Sequence, residues 1–150
     1  MRKLISLLLV FSLFFLSGNM FAEARRKAEI CYAGGLYFGR NSYNSFLGTV
    51  SLGYYFKLIG AEVNGIVVFK GITIFGSNLS LGLFDNQRLI PYATGGIWKN
   101  SHEGYGYNVG GGIKIRFEDG FAIRAEYRHY FYTEEGDDID MIIGGLSLFF

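Results

Sequence analysis

The feature that most constrains this chain is a two-residue alternation recurring in eight segments between Glu29 and Phe150. In an extended strand successive side chains point to opposite faces, so such a repeat implies a sheet whose two sides differ chemically. In the first segment Ile30, Tyr32, Gly34, Leu36 and Phe38 share one face, and Cys31, Ala33, Gly35 and Tyr37 share the other. Residues 46–57 group Val50, Leu52, Tyr54 and Phe56 against Thr49, Ser51 and Gly53. Residues 59–69 set Ala61, Val63, Val67 and Phe69 against Glu62 and Asn64. Residues 72–84 set Thr73, Phe75, Leu79, Leu81 and Leu83 against Asn78 and Ser80. Tyr92 and Trp98 share a face in residues 88–98. In residues 105–117, Tyr105, Tyr107, Val109, Ile113, Ile115 and Phe117 oppose Asn108, Lys114 and Arg116. Residues 121–132 place Phe121, Ile123, Ala125, Tyr127 and Phe131 opposite Arg124, Glu126 and Arg128. The last segment aligns Ile142, Leu146, Leu148 and Phe150.

The connections alternate in character. Asp85-Asn86-Gln87 and Glu118-Asp119-Gly120 are tight-turn sequences, whereas Arg40–Ser45, Lys99–Gly104 and Thr133–Asp140 are longer and polar. Short and long connections in turn suit an up-and-down barrel with tight turns at one end and loops at the other. Lys70-Gly71 departs from this, since it occupies a loop position yet is nearly as short as a turn.

Which face is outside follows from composition. The polar face is small and Gly-rich with few long charged side chains, and the chain holds 22 Gly and 26 Tyr plus Phe. The apolar face carries aromatics near strand ends, among them Tyr105, Tyr107, Phe117, Phe121, Phe131 and Phe150. Apolar side chains outward with aromatic girdles are what lipid demands, and an open sheet in lipid would leave edge groups unsatisfied. The expectation is an all-β fold, an eight-stranded antiparallel up-and-down transmembrane β-barrel over residues 25–150. Residues 1–24 read as its signal peptide: Arg2 and Lys3, an apolar run Leu4–Leu16, then Ala22-Glu23-Ala24, with cleavage after Ala22 or Ala24. Asn19 follows Leu16-Ser17-Gly18 where a lipoprotein would need Cys. Without residues 1–24 the acidic and basic side chains balance, so nothing suggests a nucleic-acid partner. A single cysteine, Cys31, cannot form an internal disulfide and reads as a small lumen filler.

Ser77–Phe84, Pro91–Gly96, the hairpin Phe117–Tyr130 and the final Gly144–Phe150 occur in an order that resembles the small outer-membrane β-barrel family. That group contains the OmpA-barrel-like and OmpX-like proteins, often called porin-family outer membrane proteins. The resemblance implies an outer-membrane location, contact with membrane lipid and lipopolysaccharide, and recognition of the strand ending in Phe150 by the barrel-assembly machinery. It implies no single activity, because such folds host many. A monomer without a cofactor is expected.

Several polar groups could carry chemistry. Glu62, Lys114, Arg116, Arg124, Glu126 and Arg128 all fall on the lumen parity, where charges must pair, and they read as a structural ion-pair network filling the lumen. An eight-stranded lumen is largely filled by side chains, so a wide channel is not expected; a narrow pore for small solutes is the second reading. His129 falls on the outward parity, as in lipid A-modifying outer-membrane hydrolases. However, position 131 is Phe, Ser147 is on the inward parity, and Glu134 and Glu135 sit in a loop, so the nucleophile is missing. His102 with Glu103 is too small a set for a metal site. Glu134, Glu135, Asp137, Asp138 and Asp140 form an acidic loop that reads as solvated, or as a weak divalent-cation site against lipopolysaccharide phosphates. Gly95-Gly96 and Gly110-Gly111-Gly112 lack a following helix and read as relief of crowding on the lumen side or as allowance for barrel curvature rather than phosphate loops.

Overall fold

A computed structural model of the chain describes residues 26–39, 42–83, 88–102, 104–118, 120–133 and 138–150. The proposed signal segment lies outside the described residues. Eight strands follow one another: β1 (Arg26–Gly39), β2 (Ser42–Phe56), β3 (Ile59–Val68), β4 (Ile72–Gly82), β5 (Leu89–Asn100), β6 (Tyr105–Glu118), β7 (Phe121–Tyr132) and β8 (Ile139–Phe149). Each pairs antiparallel with the next, and β8 returns to β1 in a register running from Glu29↔Phe149 to Gly39↔Ile139. Closure leaves no free sheet edge.

Alternation accounts for the orientation of nearly every strand. In β3 Glu62, Asn64, Ile66 and Val68 are buried in the lumen, while Val63 and Val67 are exposed on the outer wall. Outward aromatics are bare, Phe46 at 68% and Phe69 at 80% exposure, as a wall solvated by something other than water requires. The turn between β2 and β3 uses only Lys57 and Leu58, and Lys57 takes a left-handed φ of 56°. Gly71 takes φ 87° in the three-residue connection Phe69-Lys70-Gly71 between β3 and β4. Both barrel termini and the Lys57-Leu58 turn lie at one end, called here the terminal end; the opposite end is the loop end.

Two expectations change. The stretches Arg40–Ser45, Lys99–Gly104 and Thr133–Asp140 are less loop than their polarity suggests, because β2 begins at Ser42, β5 runs to Asn100 and β8 already includes Asp140. Strand hydrogen bonds continue past the apolar wall, where polar side chains cost nothing. The second change concerns the lumen, which is not polar throughout. Tyr92 and Trp98 do share a face, but both are buried inside, and the outward side of β5 presents Ala93, Ile97 and Lys99.

Candidate functional site

The lumen is built in layers. Its middle is a charged cluster contributed by four strands. Glu62 of β3 bridges two guanidiniums, with Arg124 Nη1 at 2.5 Å from Oε2 and Arg128 Nη2 at 2.8 Å from Oε1. Glu126 accepts from both of the same arginines, including Arg124 Nε at 2.9 Å, and from the Tyr92 hydroxyl. Arg124 Nε also donates to Tyr92 Oη at 2.7 Å. Toward the terminal end Lys114 Nζ lies 2.5 Å from Glu29 Oε2, and Ser147 Oγ donates to Glu29 Oε1 at 2.5 Å. Three carboxylates thus face three cations, all at least nine-tenths buried. Charges removed from water persist only when compensated in this way.

Backbone register explains how such long side chains fit. Arg128 lies across from Gly110, Glu126 across from Gly112, and Glu62 across from Gly53. A Cβ at Gly112 would come to 2.8 Å from the Tyr92 hydroxyl, so this glycine makes the space in which Tyr92 meets Glu126. Gly110 and Gly112 of β6 therefore make room for lumen side chains, while Gly111 between them lies across from the outward Tyr127.

Toward the loop end the chemistry changes. Asn108 Nδ2 donates to Asn78 Oδ1 at 2.9 Å, and beyond this pair Leu47, Ile66, Val68, Ile74 and Met141 pack with Trp98 and Tyr130. Trp98 meets the Tyr130 ring edge-on at 5.7 Å and donates from Nε1 to the Tyr107 carbonyl. Burial of each large aliphatic side chain stabilises by roughly 1.5–3 kcal/mol.

The residues singled out from the sequence are thus distributed unevenly. Glu62, Lys114, Arg124, Glu126 and Arg128 come together in the lumen. Arg116, expected in the same network, stands apart. It sits one lumen step nearer the terminal end, beside a register shift between Arg116 and Glu118, with its guanidinium 5.3 Å from the Phe149 ring. Sequence reasoning missed Glu29, although its parity with Cys31 placed it inside. The apolar cap was also missed, although Ile66 and Val68 share the parity of Glu62 and Asn64, and Ile74 that of Asn78; what only the closed register shows is that they pack together as one layer.

On the outer wall, His129 Nδ1 lies 2.6 Å from Asp140 Oδ1, and Nε2 lies 3.7 Å from Asp138 Oδ2. Tyr127 donates to the same Asp140 oxygen. Asp140 is therefore a wall residue of β8 paired across to His129, rather than part of a loop. Glu134, Glu135 and Asp137 lie outside the described residues, as does Glu103 beside His102. Among the described residues no group of three or more His, Cys, Asp and Glu side chains is placed to hold a metal.

Three solved structures share this architecture. The N-terminal β-barrel domain of Pseudomonas aeruginosa OprF matches with TM-score 0.72 at 17% identity, covering 85% of this chain and 100% of that one. Neisserial surface protein A matches with TM-score 0.69 at 15% identity, covering 85% and 99%. A barrel from the de novo design of transmembrane β-barrels matches with TM-score 0.67 at 12% identity, covering 83% and 95%. The fold is that of the small eight-stranded outer-membrane β-barrels. No protein-family model matches the chain, and no curated protein does. Since a designed barrel is among the matches, this fold by itself carries no activity.

Proposed function

We propose that this protein is a non-enzymatic outer-membrane β-barrel with a plugged lumen, contributing to the cell envelope as a structural and surface-contact element. The observation that supports this reading is the stacking of a charge-balanced cluster beneath an apolar cap inside a wall of exposed apolar side chains. An ion crossing the lumen would have to separate buried ion pairs and then enter a hydrocarbon-like layer, each step costing several kcal/mol. Surface contacts then fall to the short loop end and the outer wall, where membrane lipid and lipopolysaccharide are the expected partners. Phe150 closes β8 against β1 by reciprocal backbone bonds with Ala28, which suits a terminal strand handled by the assembly machinery. Purified protein in planar bilayers is expected to give negligible conductance. Steady single-channel steps would favour the narrow-pore alternative, and a soluble pool on cell fractionation would refute the location.

The His129–Asp140 pair favours a second reading, a lipid-modifying hydrolase, because it orients an imidazole on the wall that would face lipid. The outward positions of β6, β7 and β8 nevertheless offer no Ser or Cys among the described residues. Lipid A that lost an acyl chain only when the protein was expressed would revive this alternative.

A further inference from the structure

At the terminal end of the lumen lies a cavity of about 20 Å³, room for one water-sized guest, lined by Tyr55, Lys57, Tyr92, Lys114, Arg116 and Phe149 among others. Its lining contains three cations and no carboxylate. Lys114 is satisfied from behind by Glu29, and Lys57 and Arg116 bring further positive charge to the lining. Among the residues whose side chains are described, neither Lys57 nor Arg116 has a carboxylate within ion-pair distance.

Two donors around the same cavity lack an acceptor. Arg116 Nε is buried without a hydrogen-bond partner. The Tyr55 hydroxyl, which stands beside Ser80, makes no hydrogen bond of normal geometry. A buried donor left unmade costs about 1–3 kcal/mol, and more when it is charged. Water could accept from both, but a lining with three cations and no carboxylate favours an anion over a neutral guest.

Local structure is arranged around this space. Gly60 and Gly53 leave room for the Tyr55 ring, since a Cβ at either would crowd it. The same ring supports the Lys114 ammonium 3.8 Å above its centroid. Lys57 holds a left-handed turn position that Gly or Asn would occupy with less strain, of order 1 kcal/mol.

We propose that this cavity is a binding site for a small monovalent inorganic anion of chloride size, held by Arg116 and Lys57 with the Tyr55 hydroxyl. The bound anion would close the terminal mouth of the lumen and offset the positive field of the three cations in its lining.

The test uses the protein purified from membranes in neutral detergent. Its thermal unfolding half-time, read by the heat-dependent gel shift, is compared in sodium chloride and in equimolar sodium gluconate, whose anion is too large for the cavity. Chloride is expected to lengthen the half-time roughly twofold or more, because only the folded state offers the site. Arg116→Gln and Lys57→Gln should each remove most of that difference, while Lys99→Gln, on the exposed wall, should keep it. Equal half-times for the wild type in the two salts, or a chloride effect that survives both lumen variants, would overturn the proposal. Should either variant fail to fold, bromide-soaked crystals of the wild type decide. An anomalous peak between Tyr55, Lys57 and Arg116 supports the site, and an ordered water there in its place overturns it.

Discussion

Replacing Glu62 by Gln probes the charged layer most directly. The Glu62 carboxylate faces Arg124 and Arg128 at 2.5 and 2.8 Å, and all three side chains are nearly inaccessible to solvent. At an effective dielectric of about 20, each pair contributes roughly 4 kcal/mol of gross attraction. Glutamine retains one acceptor and relieves the burial cost of a carboxylate, which returns several kcal/mol. The net loss is therefore about 3–5 kcal/mol, the range for removing one partner of a buried pair. What remains is Glu29 and Glu126 against three buried cations. Combining Glu62→Gln with Arg128→Met restores the balance, so the double variant is expected to recover about 1–3 kcal/mol of the single variant's loss. Urea unfolding in detergent followed through Trp98, the chain's one tryptophan, reports the result, because Trp98 is packed between Tyr130 and Tyr132. A loss below about 1 kcal/mol for Glu62→Gln, with no recovery in the double variant, would refute the claim that charge balance holds this layer together.

Two further expectations concern packing and the wall. Gly112→Ala should cost about 1–3 kcal/mol, since its Cβ would collide with the Ala125 carbonyl oxygen and also crowd the Tyr92 hydroxyl, whereas Gly48→Ala, whose Cβ would meet nothing within 4 Å, should change stability by less than about 0.5 kcal/mol in the same urea titration. Asp140→Asn breaks a half-exposed contact with His129 and should cost less than about 1 kcal/mol while leaving bilayer conductance at the wild-type level.

The strands were legible because each face of a barrel wall meets a different medium, and a period of two is the direct imprint of that difference. Glu62, Arg124, Glu126 and Arg128 were legible for the same reason: a charge on the polar parity of a closed sheet can go nowhere but the lumen. Arg116 shows where parity stops. It shares the lumen face with Lys114, yet Glu29 and Glu126 pair with Lys114, Arg124 and Arg128 and not with it, and which lumen residues meet is set by strand stagger. Asp140 shows the same limit from outside, since a run of acids reads as a loop until the register of β8 against β7 sets it beside His129.

The sequence by itself determined the number of strands, their order and which side of each faces outward, because these follow from local alternation and turn chemistry. Only the tertiary structure decided the layering of the interior. Which lumen residues lie at the same height depends on how eight registers add around a closed circle, a sum that no single segment contains. That sum places an apolar cap over the charged cluster and gathers three cations around a small cavity beneath it.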